Sequence, residues 1–375
     1  MTTSRLAIQT HFRNLKDPRR APRHHLLDIL VIAICAVICG ANDWQQIAIF
    51  GRQRRDWLQR FLKLPNGIPC HDTFERVFER LSPRAFAAAF SQWMQALADA
   101  VGIEHIAIDG KTLRRSGSPL RGLGPLHLVS AWATQNHLAL GQVAVDGKSN
   151  EITAIPRLLE LLDLHGALVT IDAMGCQKAI AQKIVDQGGD YVLTVKDNQE
   201  HLLDDIQQAF AQAFDHNFAG LEHDTDETRE RGHGREEYRC YTVLHHTEGV
   251  RNAQAWAGLT TIGMCYSERT VGGKTSEEVR YFIGSKQANA KYYGKALRNH
   301  WGIENGLHWQ LDVTFREDNS RVQARHGAEN FALLRKLALT LLKQHPAKES
   351  IACKRLHAAL DANFLEEIVQ QSANS

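Results

Sequence analysis

The stretch IAIDGKTLR, Ile106 to Arg114, runs three apolar residues of β type into a carboxylate and then a glycine. An apolar run that stops at Asp109-Gly110 reads as a strand buried in a sheet, with its acid at the strand end. The same pattern returns at Leu168-Val169-Thr170-Ile171, which ends on Asp172 in LVTIDAMG. A third acid, Glu304, lies in HWGIENGLHW, where Trp301, Leu307, His308 and Trp309 suit a helix. Two strand-borne carboxylates and one helix-borne carboxylate can converge on one point. Hard divalent cations suit such a set, because they take carboxylate oxygens and keep positions for water and phosphate.

Outward from Asp109, residues His105 to Gly110, Leu126 to Thr134 and His137 to Val145 read as three successive strands, with Gln135-Asn136 turning between the last two. A helix from Glu151 to Leu162, a strand Ala167 to Asp172, a helix Gln177 to Gln187 and a strand Asp190 to Val195 follow. Three strands and then alternating helix and strand is the order of an RNase H-like fold, in the α/β class. Before it, residues 1–100 read as an all-α module: an apolar helix Leu26 to Cys39, an amphipathic one Trp44 to Leu62, one opening at Asp72 as N-cap with Glu75 at the capping-box position, and one from Pro83-Arg84 to about Val101. After a helix beginning near Gln199, residues 222–286 return to short β-type runs (Tyr238 to Leu244, Leu259 to Cys265, Val279 to Ile283) separated by turns at Arg231-Gly232-His233-Gly234 and Val271-Gly272-Gly273. The expected organisation is a helical N-terminal module (1–100), an RNase H-like domain (104–345) with a β-rich insertion (222–286), and a C-terminal helical tail (346–375).

A chain of 375 residues is long enough for a large core and for two or three domains. Its net charge of +2 neither supports nor excludes a nucleic-acid partner. Seven scattered cysteines without a CxxC pair read as reduced thiols; Cys35 and Cys39 sit in an apolar run and read as packing rather than a zinc site. The run Ile29 to Cys39 falls short of the roughly 20 residues that span a bilayer, so a buried helix is expected. The basic start, Arg5, Arg13 and Lys16, lacks a secretory pattern, and a cytoplasmic protein is the expectation.

The words DGK at Asp109–Lys111, KSNEI at Lys148–Ile152, TIDAMGCQ at Thr170–Gln177, KDNQ at Lys196–Gln199 and HWGIENGLHWQLDVTFRED at His300–Asp318 occur in one order, after DPRR at Asp17–Arg20 and HDTFERVF at His71–Phe78. As an ordered set spanning nearly the whole chain they resemble the H-repeat-associated transposases, DDE-class enzymes of insertion sequences. The resemblance implies a metal-dependent DNA transposase, endonuclease and strand transferase, with Asp109, Asp172 and Glu304 as catalytic metal ligands and Mg2+ or Mn2+, two ions, as cofactor. Its partners would be double-stranded DNA at element ends and target DNA, with no membrane and a homodimer in the DNA complex. Two other readings stand beside it: a catalytically silent DNA-binding relative, and a host RNase H-like nuclease. Wider relatives carry an Arg four residues before the Glu and a Lys seven after it, where this chain has His300 and Leu311; Arg298 and Arg316 are the nearby substitutes.

Phosphate contacts are expected from Arg19, Arg20, Arg52, Arg54 and Arg55 in the basic leader, with Arg13, Lys16 and Arg23 nearby. Lys111 and Arg114 are phosphate candidates or plain surface charge. Lys196, Asn198 and Gln199 end a strand beside the expected site and read as DNA-positioning groups, while Lys148, Asn150 and Glu151 read as a helix cap as readily as a contact. Asp312, Glu317 and Asp318 rival Glu304 as third ligand, and His308 is placed to support it. Trp301 reads as core. His233, Arg235 and Trp256 belong to an insertion that could clamp a DNA end, with Trp256 either stacking on an extruded base or buried at a strand edge.

Overall fold

The computed structural model describes residues 7–117, 122, 124–146, 149–232, 234–323 and 326–370; Lys148 and His233 lie outside them. In chain order the helices and strands are α1 (Ala7–Phe12), α2 (Leu26–Ile38), α3 (Trp44–Gln53), α4 (Arg55–Leu58), α5 (His71–Arg80), α6 (Pro83–Val101), β1 (His105–Leu113), β2 (Leu126–Ala133), β3 (Leu138–Ala144), α7 (Glu151–Leu159), β4 (Leu168–Ile171), α8 (Lys178–Asp186), β5 (Asp190–Val195) and α9 (Glu200–Asp215). There follow β6 (His223–Gly232), β7 (Arg235–Leu244), β8 (Thr261–Val271), β9 (Lys274–Gly284), α10 (Ala290–His300), α11 (Gly327–Gln344), α12 (Ile351–Leu360) and α13 (Ala362–Gln370). The chain packs as two compact units: Met1–Ile103, Gly110–Asn150 and Glu304–Ser375 form one, Glu104–Asp109 and Glu151–Ile303 the other.

The first unit is built on two helices that are buried nearly all round, α2 and α11, which pack on each other. A helix without a polar face belongs in a core, and the expected buried helix in place of a membrane span is what forms. Among the described residues no helix is long and apolar enough to cross a membrane. Asp28, buried within α2, accepts a hydrogen bond from the Leu64 amide at 3.1 Å. Ser82 caps α6 through the Ala85 amide, with Pro83 at the first turn. Two expectations fail locally. The helix expected over Trp44 to Leu62 breaks at Arg54 into α3 and α4. Helix α5 begins at His71 after Cys70, so Asp72 is inside its first turn and caps nothing; its start is set by burial of Phe74, Val77 and Phe78. In the same unit β2 and β3 form an antiparallel hairpin, with His137 at positive φ in the turn.

The second unit holds the first half of β1 beside β4 and β5, all parallel, and then β9, β8, β7 and β6, all antiparallel, in a mixed sheet of order β1-β4-β5-β9-β8-β7-β6. Strand β9 joins β5 with Val192 opposite Gly284 and Val195 opposite Tyr281, so the β-rich segment extends the sheet that carries Asp109 and Asp172. Its strands are longer than the apolar runs read from sequence. The outer halves are charged and solvent-facing, and β6, HDTDETRERG, has no apolar residue at all; it is held by its ladder to β7. Gly272 and Gly273, both at positive φ, make the two-residue turn between β8 and β9.

Candidate active site

Strands β1 and β4 run parallel with Ile108 opposite Ile171, so the next residue of each, Asp109 and Asp172, lies side by side; Asp172 follows the carboxyl end of β4, whereas β1 does not stop at Asp109-Gly110 as expected but continues to Leu113, leaving Asp109 at its middle. Carboxyl ends of parallel strands are where open α/β sheets present ligand groups. Asp172 accepts the Met174 amide at 3.1 Å and so caps the single turn Ala173–Gly175. A Cβ on Gly175 would sit 2.3 Å from Ile171 Cγ2, so this turn closes tightly onto its own strand. Asn198 and Gln199 brace the turn from the end of β5, donating to the Ala173 and Cys176 carbonyls, each at 2.8 Å.

Beneath these acids lies a polar chain that the sequence pattern does not single out. His105 Nε2 and Thr170 Oγ1 are 2.8 Å apart, and Thr170 Oγ1 is 3.0 Å from His300 Nδ1. His105 precedes Asp109 by four residues and Thr170 precedes Asp172 by two, even spacings that put all four on one sheet face. Burial, with His300 and Lys295 adding to it, drives His105 down to about 3, so it is neutral and serves as a hydrogen-bonding post between the sheet and α10.

Within the first unit, Glu304 opens a segment wound in wide π-type turns, Glu304–His308 and Gln310–Thr314, in place of the α-helix expected there. Such turns recur at functional sites. Glu304 is exposed, and its Oε2 is 3.0 Å from His308 Nδ1; the imidazole has 5% of its surface exposed. The His308 hydrogen bond, with Lys111 adding to it against burial, holds the Glu304 carboxyl below its usual value. Gly306 lies against Trp132, where an added Cβ would meet the indole at 3.1 Å.

The rival third ligands are committed elsewhere. Lys111 Nζ donates to Asp312 and, at 2.9 Å, to Glu317. Glu317 is fully buried; burial pushes its carboxyl up, but Lys111, Lys336 and Arg335 outweigh that and hold it below the usual value. Asp318 lies 3.4 Å from Arg114 Nε. Arg335 and Lys336 were missed in the sequence, although two cations inside ALLRKLALTLL are a visible anomaly. Burial lowers Lys336 to about 8.

Among the basic candidates, Arg20, Arg52, Arg55, Arg114 and Lys196 are exposed. Arg19 is pinned by Asp17 and the His24 carbonyl, Arg54 by the Ala359 carbonyl at 2.6 Å, and Arg298 by Glu230, with Glu237 at 3.8 Å. Trp256 is 3% exposed, so stacking on an extruded base is excluded; it is buried as the alternative had it, but after the short turn Ala253–Ala255 rather than at a strand edge. Trp301, expected in the core, is instead 54% exposed under the Arg280 guanidinium, whose carbon is 5.2 Å from the ring centroid.

The profile of the transposase DDE domain matches residues 101–341, and that of its associated N-terminal region matches residues 9–94. The chain belongs to the DDE transposase family. It is 42% identical over 353 residues to the transposase-named YncI of Escherichia coli O157:H7, covering 92% of this chain and 90% of that one. It is 40% identical over 377 residues to the transposase-named, H repeat-associated YhhI of Escherichia coli K12, covering 98% and 99%. A piggyBac transposase synaptic complex with hairpin DNA aligns at TM-score 0.42 and 10% identity, over 98% of this chain and 77% of that one. As a family member the chain has the expected mixed α/β, RNase H-like fold with a helical N-terminal region.

Proposed function

We propose that this transposase cuts and joins DNA at the ends of an insertion sequence, using divalent cations held by Asp109, Asp172 and Glu304. The observation that carries the reading is the register of β1 and β4, which sets two carboxylates side by side on neighbouring parallel strands. All three donors are hard oxygens, as Mg2+ or Mn2+ requires. Held there, such ions would supply activation of water or a 3′-hydroxyl and stabilisation of the leaving oxygen of the phosphodiester. Asp109, beside Asp172, would be a ligand of such an ion. Asp172 keeps one oxygen on the Met174 amide, which fixes its orientation; Asn198 and Gln199 act on that turn rather than on DNA directly. His308 orients Glu304 and keeps it ionised.

Exposed Arg20, Arg52, Arg55 and Lys196 face solvent and take phosphates, giving affinity that falls with salt. The substrate is double-stranded DNA bearing the terminal repeats that flank the gene. The test is Mg2+- or Mn2+-dependent nicking of that duplex by the full chain. Asp109→Ala, Asp172→Ala and Glu304→Ala should each abolish nicking while retaining DNA binding. If Glu304→Ala cuts normally and Glu317→Ala or Asp318→Ala does not, the third ligand is misassigned.

A further inference from the structure

Lys111 follows Asp109 by two residues on β1 and therefore leaves the strand on the same face. Only 13% of its side chain is exposed, so it is not a surface cation reaching for DNA. Its ammonium is gripped by two carboxylates from the segment that Glu304 opens: Asp312, on the second wide turn, and Glu317, in the short turn Glu317–Asn319. Glu317 has no solvent exposure in its side chain. The nearest Arg335 nitrogen is 4.0 Å away, and Lys336 Nζ gives its hydrogen bond to Gln142 Oε1 on β3 at 2.9 Å. Among the described residues Lys111 is thus the cation that hydrogen-bonds the buried carboxylate.

The segment closes on i→i+5 bonds such as Phe315 N–H to the Gln310 carbonyl at 3.1 Å, a rare winding that recurs at functional sites, and its side chains tie it to strand β1. We propose that Lys111 is a positioning residue of the metal site, fixing the Glu304-bearing segment to strand β1 through Asp312 and Glu317. The assignment rests on the proposed function. A buried ion pair that served stability alone could be replaced by neutral groups without consequence for ligands. A pair that places a ligand could not.

The test uses the full chain without DNA, reading Mn2+ affinity from the paramagnetic resonance signal of free Mn2+, beside melting temperature and the salt dependence of DNA binding. Lys111→Met should weaken Mn2+ binding by about 10–100-fold, the usual cost of losing a group that orients a ligand. Lys111→Arg should recover much of it. Glu317→Gln combined with Lys111→Met should recover melting temperature without recovering Mn2+ affinity; this pair and Lys111→Arg carry the comparison should Lys111→Met not fold. Wild-type Mn2+ affinity in the folded double variant would overturn the proposal. So would a salt slope lowered by about one unit with Mn2+ affinity intact, which would make Lys111 a phosphate contact. Asp109→Asn separates the two levels: if it binds Mn2+ like wild type, the metal site itself is wrong, whereas if it loses Mn2+ and the Lys111 variants do not, only the positioning role falls.

Discussion

Gly306→Ala should disable the site by about the width of one methyl group. The substitution carries two opposed effects. Alanine in a helical segment is favoured over glycine by about 1 kcal/mol. Against that, the new Cβ would lie 3.1 Å from Trp132 Cζ2 and 3.3 Å from Cε2 and Nε1. Carbon pairs rest at about 3.5–4.0 Å, so ring or segment must yield by about half an ångström. Trp132 is completely buried, and overpacking of that kind costs about 1–3 kcal/mol. The net loss is therefore about 0–2 kcal/mol, small beside its effect on chemistry, because Glu304 is two residues away and moves with the backbone. Misplacement of a catalytic group by an ångström costs up to about 100-fold in rate. Urea midpoints and metal-dependent nicking of an element-end duplex read the two effects separately. Trp132→Phe added to Gly306→Ala removes the indole edge and should restore part of the rate. A stability gain of about 1 kcal/mol with unchanged nicking would rule out this steric coupling, since propensity alone would then be acting.

Trp256→Ala should cost about 3–5 kcal/mol in urea unfolding, as expected for a ring 3% exposed; unchanged stability would return it to the surface. Glu317, whose carboxyl is held below its ordinary 4.5, contributes stability in full above that value and loses it as pH falls through the lower folded value. Glu317→Gln should accordingly flatten the acid limb of the stability profile, and an unaltered limb would show that the carboxylate is not the group titrating. Thr170→Val removes the hydroxyl between His105 and His300 and should destabilise by about 1–3 kcal/mol, with no loss expected if that chain is idle. Arg52→Ala with Arg55→Ala should lower the salt slope of DNA binding by up to about two units, close to one for each phosphate no longer neutralised; an unchanged slope moves the DNA surface elsewhere.

The strands and helices between His105 and Val195 are legible because each strand holds a compact apolar run, closed at β4 by Asp172 and at β5 by Lys196, and each boundary falls within a few residues of the observed one, β1 running three residues past the expected Gly110. Asp109 and Asp172 follow from that pattern directly. Strand β6 is illegible for the opposite reason: its half-buried face carries Asp224, Asp226 and Thr228 rather than apolar residues, and it is held by its ladder to β7 and by polar contacts such as the Ala290 amide donating to Asp224. The wide turns at Glu304 are invisible because helical and π-type windings share a composition and differ in what they pack against, here Trp132 and Lys111. Arg335 and Lys336 look like a break in an apolar helix until the buried Glu317 that they face is known. Trp301 departed from expectation because a tryptophan's burial is decided by tertiary neighbours: it is 54% exposed, with an arginine of the sheet over its ring, whereas Trp256 is buried as one of its two readings had it.

Whether Asp109, Asp172 and Glu304 hold one divalent-metal site is read without a DNA substrate by Fe2+-directed cleavage of the polypeptide. With Fe2+ in place of Mg2+, ascorbate and peroxide cut the backbone only near the bound ion. A shared site yields fragments ending close to residues 109, 172 and 304, suppressed by excess Mg2+ and absent in Asp109→Asn. Cuts confined to residues 312–318, or cuts that persist unchanged in Asp109→Asn, would contradict it.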